Sequence, residues 1–514
     1  MSERLVRIHR DTYVDSVLLM AAIRTMTRRP GVEWATAVMG TPANLETLGA
    51  EGFDDASLES AGANDLVLAA QAGSRADADA ALEAAETALS ARAGAGDGEP
   101  RERERIPRGL EEAVAELPGA NVALISVPGE YAGLEAHRAL SSSLHVLLFS
   151  DNVPVDQEVE LKERAAELGL LVMGPGAGTA MLGHVGLGFA NDVRPGPVGV
   201  VAAAGTGAQE VMTLLDRWGT GVSHVIGVGG RDLSERVGGT MTRLAVRVLL
   251  DDEATRAILV ASKPPSPSVA RAILSDLRGK PAVVALLGLE EELSPPESVR
   301  LERTLQGAVE ATLDALGLPR PAPSPGLGDA VAAAAARLPA SRVAVRGLFS
   351  GGTLCYESMV VISARLGAVR SNVPLREGWG VPGPPDAHVC IDMGEEEYTR
   401  GRPHPMIDPH ARSEAIVEQG RDPATAVVLI DVVLGHGSHP DPAEVLAPAC
   451  AEAAAGGAAV VAYVLGTDTD PQNLAAQCMA LEEAGCIVAP TAARAALAAA
   501  AIAARDPAII RERP

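Results

Sequence analysis

Aromatic side chains are scarce in this sequence: Phe, Trp and Tyr make up 2% of its 514 residues, although hydrophobic residues reach 47%. Its cores must therefore be built from Ala, Val and Leu. Positive charge is also short, with 43 Lys and Arg against 67 Asp and Glu and a net charge of −24. Phosphate polymers and anionic bilayers would be repelled, so nucleic acid and membrane are not expected as bulk partners. A small anionic substrate remains compatible, because a nest of backbone N–H groups acts at short range. Only five cysteines occur, at 355, 390, 450, 478 and 486, without a C-x-x-C pair. That spacing implies reduced thiols and a cytoplasmic setting. No apolar run reaches the ~18 residues of a membrane span; the Ala-rich run Ala492–Ala503 is interrupted by Arg494. The opening Met1-Ser2-Glu3-Arg4 has no apolar signal region. Walker A, G-x-S-x-G, H-E-x-x-H and a complete G-x-G-x-x-G in context are all missing.

What is present is an alternation of short apolar runs with amphipathic stretches, the pattern of parallel sheets covered by helices. The length suggests about three domains. The first domain is expected over 1–194, with strands at Leu5–His9, Trp34–Met39, Asp65–Ala70, Asn121–Val127, His145–Phe149 and Leu171–Met173. Within it, residues 94–108 are polar and aperiodic and read as a surface loop. A second domain is expected over 195–327, ending in a Pro-rich connector at 317–327, and a third over 328–514.

The strongest internal signal is a repeat. Val198–Glu210 runs from an apolar strand through Gly205-Thr206-Gly207 into a helix. Val343–Glu357 repeats this through Ser350-Gly351-Gly352-Thr353, with Glu357 answering to Glu210. Asp251–Val260 likewise parallels Arg421–Ile430, and Ala282–Leu287 parallels Ala458–Leu465, with an insertion around 374–412 in the second copy. Each glycine turn could cradle a phosphate or carboxylate at a helix N-terminus. Each could equally be a tight strand-to-helix connection that only glycine permits.

Other candidates stand at strand ends, where open parallel sheets bind ligands. Arg231, in Gly227-Val228-Gly229-Gly230-Arg231-Asp232, could clamp an acid or be solvated. Its counterpart Ile391–Glu397 is acidic and reads as a solvated charge run rather than a Mg²⁺ site. His436 and His439, in Gly435–Pro442, could serve as base, acid or phosphate carrier, but lack the third ligand of a metal site. Cys355 and Cys390 read as small core residues.

Beyond these readings, the chain resembles a known family. The series Ser126–Tyr131, Asn152-Val153-Pro154, Met173–Gly176, Gly205-Thr206, Gly227–Gly230 and Asp251–Val260 is similar to the α subunit of succinyl-CoA synthetase. The opening Asp15-Ser16-Val17, the stretch Val38–Asn44 and the full-length layout resemble FdrA-type acyl-CoA-synthetase-like proteins. The resemblance implies an α/β architecture: a three-layer Rossmann-like CoA-binding-type domain, then two flavodoxin-like ligase domains. It also implies an oligomer or partner subunits, and CoA or a nucleotide as conceivable cofactors, although the residues fix none and indicate no metal. The synthetase grips CoA with a Gly-rich loop after its first strand, whereas Arg7–Tyr13 here has no glycine. Its phosphohistidine motif follows the last ligase strand, where this chain has Gly466-Thr467-Asp468-Thr469-Asp470. No ATP-grasp domain is present. FdrA-type proteins are associated with a carbamoyltransferase exchanging carbamoyl phosphate and oxalurate. The resemblance therefore implies a subunit handling an acyl or carbamoyl phosphate, with the two glycine turns neutralising charge and Arg231 or His436 orienting the acceptor. An NDP-forming acyl-CoA ligase subunit and a non-catalytic assembly subunit are the alternatives.

Overall fold

The computed structural model describes residues 3–93, 107 and 109–514, except 13, 15, 54, 55, 290, 291, 323, 401 and 402. The loop expected at 94–108 lies outside the described residues, apart from Pro107. The chain divides into two compact units, 1–106 and 107–514. The first domain expected over 1–194 spans the first unit and the opening of the second.

In the first unit, strands β1 (Glu3–His9), β2 (Val32–Met39) and β3 (Leu66–Ala72) form a sheet in the order β1-β3-β2. Helices α1 (Ser16–Thr27), α2 (Pro42–Ala50) and α3 (Arg75–Ala93) accompany it. Central β3 is apolar and buried except at half-buried Gln71. Both pairings are antiparallel, where parallel strands were expected. Strand–helix alternation does not discriminate the two cases, since a helix can return the chain to either side of a sheet. The comparison of Arg7–Tyr13 with the CoA-gripping loop of a parallel sheet therefore fails, because β1 is not the first strand of such a sheet.

The second unit opens with α4 (Leu110–Glu116), β4 (Val122–Ile125), α5 (Gly129–Ser141), β5 (His145–Leu148), α6 (Val155–Leu168) and β6 (Val172–Met173). Here β4, β5 and β6 pair in parallel, as the Rossmann-like reading requires. A hairpin, β7 (Thr179–Leu182) and β8 (Val185–Gly188), leads into the first ligase-like half. That half comprises β9 (Pro195–Ala203), α7 (Gly205–Arg217), β10 (Val222–Gly227), α8 (Thr240–Asp251), β11 (Ala257–Ser262), α9 (Pro267–Asp276), β12 (Ala282–Leu286), β13 (Val299–Glu302) and α10 (Leu305–Ala315). After α11 (Leu327–Arg337) the second half follows as β14 (Ala344–Phe349), α12 (Gly352–Leu366), β15 (Val369–Arg370), β16 (His388–Asp392), α13 (Glu396–Thr399), α14 (His410–Arg421), β17 (Thr425–Val433), α15 (Pro442–Ala455), β18 (Ala459–Leu465), α16 (Leu474–Glu483), β19 (Ile487–Ala489) and α17 (Ala492–Ala504).

The two sheets share one topology. The first runs β13-β12-β11-β9-β10, with β7 and β8 added at the edge, and the second runs β19-β18-β17-β14-β16, with β15 at the edge. In order of appearance each half is 5-4-3-1-2, the flavodoxin-like arrangement, whose crevice opens beside its first strand. The repeat read from sequence is thus a structural duplication. Strands such as β11 and β17 are buried throughout and, apart from Ser262, Thr425 and Asp431, apolar, as parallel strands covered on both faces tend to be.

The halves pack helix to helix, α7 against α12 and α10 against α17. Helix α17 carries the Ala-rich run and buries eleven of its residues, its small side chains allowing close approach to α12. Glu210 of α7 and Glu357 of α12 are both fully buried at this seam. Glu210 Oε1 accepts the Ala492 N–H at 3.4 Å, and its Oε2 accepts the Tyr463 hydroxyl at 2.5 Å. Glu357 Oε1 accepts the Leu305 N–H at 2.6 Å. Each half thereby caps the last helix of the other.

Candidate functional site

The two glycine turns meet. The Thr353 N–H donates to Thr206 Oγ1 at 3.3 Å, across the 147-residue repeat offset. A Cβ at Gly207 would stand 2.9 Å from Thr353 Cγ2, and one at Gly351 would stand 2.9 Å from Thr206 Cγ2. Glycine at these positions lets the N-termini of α7 and α12 approach. The tight-connection reading of these glycines therefore has its basis here.

The two turns are not equivalent. At the second, Asp431 Oδ1 accepts the Ser350 N–H at 2.8 Å, and Oδ2 accepts the Gly351 N–H at 2.8 Å. Arg412, itself buried, balances this carboxylate at 2.9 Å. The protein's own carboxylate thus takes the place expected for a bound anion at Ser350 and Gly351. In the first half, Ala261 stands opposite Ala202 on β9. The equivalent pairing sets Asp431 one step beyond Ile430, which faces Leu348. An alanine thus replaces the aspartate that fills the other turn. At α7 the N-cap is Ala204, which offers no side-chain cap. The first N–H groups of a helix have no intrahelical acceptor and carry roughly half a positive charge. At Gly205, Thr206 and Gly207 no N-cap side chain takes them.

This turn opens into a cavity of about 700 Å³ between the two halves. Gly205, Thr206, Ser350, Gly352 and Thr353 line it, joined by Lys263, Asp392 and His404. Lys263 stands at the end of β11 and Asp392 at the end of β16, because parallel strands deliver their C-terminal residues to one edge. A Cβ on Gly352 would run into Asp392 Oδ2 and lie 3.5 Å from Lys263 Nζ, so glycine there admits both groups. Burial raises the Asp392 carboxyl to about 6, and Lys263 opposes the rise. Asp392 is therefore not the solvated acid expected: it is 3% exposed. Burial lowers His404 to about 4, with Arg412 adding to the effect. His404 Nδ1 accepts the Met406 N–H at 3.2 Å, so the neutral ring carries its proton on Nε2.

Two expected residues lie outside this cavity. Arg231 is not free to clamp a substrate, because its Nε pairs with buried Glu158 Oε2 at 2.9 Å and its Nη2 donates to Val153 O at 2.7 Å. His436 lines a separate cavity of about 680 Å³ and faces Asp192, Nε2 to Oδ1 at 3.1 Å. The glycines beside it follow from packing: a Cβ on Gly435 would stand 2.5 Å from Ala190 O, and Gly437, at φ +86°, lies against Phe189. Cys355 and Cys390 are buried, as expected.

Lys263, His404 and Asp431 were not singled out from sequence. Lys263 lies in a Ser-Lys-Pro-Pro turn with no motif, His404 in the insertion, and Asp431 inside an apolar strand. A charged residue within the run Val427–Leu434 was the one visible signal.

Comparison with known proteins bears on this arrangement. The CoA-ligase family matches residues 348–502, and a family described as AllF, heavy metal-associated domain, matches residues 1–105. A metal implied by the second description does not fit the residues present: 1–105 carries no cysteine and one histidine, His9. The chain is 38% identical over 519 aligned positions to the uncharacterized protein YahF of Escherichia coli (strain K12), covering 97% of this chain and 98% of that protein. It is 30% identical over 158 residues to succinate–CoA ligase [ADP-forming] subunit alpha 2 of Archaeoglobus fulgidus, 30% of this chain and 53% of that subunit. A solved acetyl-coenzyme A synthetase of Ca. Korarchaeum cryptofilum aligns over 76% of this chain and 84% of that chain at TM-score 0.31 and 16% identity. Among the described residues, no helix is long and apolar enough to cross a membrane.

Proposed function

The chain belongs to the family of Escherichia coli YahF, and from that premise we propose that this acyl-CoA-ligase-like chain binds the phosphate of an acyl phosphate at the N-terminus of α7. The observation that carries this reading is that the Gly205–Gly207 turn has no N-cap side chain and opens beside Lys263, whereas Asp431 takes the Ser350 and Gly351 N–H groups of the other turn. Phosphate oxygens would take the N–H groups of Gly205, Thr206 and Gly207, with the Lys263 ammonium as counter-charge. The neutral His404 ring offers Nε2–H to a carbonyl oxygen. Asp392, titrating near 6, is the base for an incoming nucleophile.

Within this class, the FdrA-type resemblance favours carbamoyl phosphate with an oxamate acceptor. The acceptor nitrogen attacks the carbamoyl carbon, its proton passes to Asp392, and the C–O bond to phosphate breaks. Arg231 and His436, placed outside the cavity, have no part in this step. The test is calorimetry of the full chain with acetyl phosphate and carbamoyl phosphate, followed by turnover with oxalurate and phosphate. Binding should weaken at least tenfold in Lys263→Met with the fold intact. Absence of binding in the wild type sinks the reading. The succinate–CoA ligase likeness favours a second reading, an NDP-forming ligase subunit working with a separate nucleotide-binding chain. Tight CoA binding without acyl-phosphate binding would select it.

A further inference from the structure

A second cavity, of about 700 Å³, lies where the C-terminal end of α7, the N-terminal turns of α10 and α17, the Pro-rich connector and the chain end converge. Four arginines line it, Arg217, Arg320, Arg494 and Arg511, against one carboxylate, Glu310. In a chain of net charge −24 this is a local reversal of sign. A scatter of surface arginines does not explain it, because part of the positive charge is built in. Arg217 Nη1 is buried and, among the described residues, has no hydrogen-bond partner. A buried guanidinium N–H without an acceptor is costly and calls for one.

Arg494 is held in place by Nη1, which donates to Ile510 O at 2.9 Å and Glu512 O at 3.0 Å. Its charge is opposed by Glu310, the one carboxylate of the lining, which Arg320 also pairs. Arg320 is anchored on Asp314 and Glu310, so its orientation is fixed but its charge is already paired. Trp218 adds a flat apolar wall. Paired guanidinium forks suit phosphate oxygens, and a volume of this size suits a small organic ligand.

We propose that this cavity is a binding site for a diphosphate-bearing small molecule, held by Arg217, Arg494 and Arg511 and distinct from the cavity at the N-terminus of α7. The diphosphate could belong to a nucleotide or to inorganic pyrophosphate, and Trp218 separates the two by stacking a base. The site sits on the seam between the halves, next to the helix ends that Glu210 and Glu357 cap. Its occupant would therefore hold the halves together.

The experiment is calorimetry of the full chain with pyrophosphate and, separately, with ADP, at fixed ionic strength. We expect one site per chain. Binding should weaken at least tenfold in Arg511→Gln, which alters an exposed side chain, and in Arg494→Gln. Lys263→Met should leave it unchanged, which separates this site from the acyl-phosphate reading. Tighter binding of ADP than of pyrophosphate, lost in Trp218→Ala, identifies the nucleotide; equal binding identifies the bare diphosphate. Absence of binding of either probe, or equal binding by wild type and Arg511→Gln, overturns the proposal.

Discussion

Glu210 and Glu357 occupy equivalent places in the two halves, and each accepts a backbone N–H from a helix of the opposite half. The arrangement buries two carboxyls near one another. Burial, and then the neighbouring Glu210, raise Glu357 to about 8; burial raises Glu210 to about 7, opposed by the Tyr463 hydroxyl.

The folded chain therefore holds protons that the unfolded chain releases near pH 4.5, so this pair's contribution to stability falls as pH rises from about 5 to 8. Glu357→Gln removes the charge while keeping an acceptor for Leu305. It should stabilise the protein by on the order of 2 kcal/mol at pH 8 and by little at pH 5. Thermal unfolding of both proteins across that range tests this, and parallel pH profiles would refute it.

Asp431→Asn should be strongly destabilising. The substitution leaves Arg412 buried without its counter-charge and sets an NH₂ group against a backbone donor. Breaking a buried pair in this way costs about 3–5 kcal/mol. Urea unfolding measures it, and a loss under ~1 kcal/mol would mean that the carboxylate does not hold the second turn.

Gly352→Ala should act on both stability and binding. Its methyl group meets Asp392 Oδ2 and presses toward Lys263. Overpacking of this kind costs about 1–3 kcal/mol. Displacement of Lys263 and Asp392 should weaken acyl-phosphate binding at least tenfold, read by calorimetry beside a melting curve. Unchanged affinity would place the anion elsewhere.

His436→Ala should be nearly silent. The His436–Asp192 pair is about half exposed on each side, and such pairs contribute about 0–1 kcal/mol. Acyl-phosphate affinity should stay within about threefold of wild type. A larger loss would show that the His436 cavity, rather than the α7 turn, holds the anion.

The sites differ in how far sequence could find them. Gly205-Thr206 and Gly352-Thr353 were visible because a repeated strand–Gly–helix pattern is local and survives duplication. Arg231 and His436 were visible as reactive side chains at strand ends, yet both turn to partners far away in the chain, Glu158 and Asp192. Lys263 carried no signal, since one lysine at a strand end resembles any other until the strands are placed side by side. The antiparallel pairing of β1 and β2 with β3 was invisible too, because residue alternation along a strand does not record the direction of its neighbour.

By itself the sequence determined the alternation of elements, the duplicated halves and the Ala-built core, all consequences of periods of two and 3.6 residues along one stretch of chain. The tertiary structure decided that the two turns face one cavity and that Asp431 reaches the second of them. That distinction rests on Asp431 reaching Ser350 across 81 residues, and on Ala261 being too short to do the same at the first turn. A side chain's length and the register of a neighbouring strand settle whether a carboxylate from within reaches such a turn.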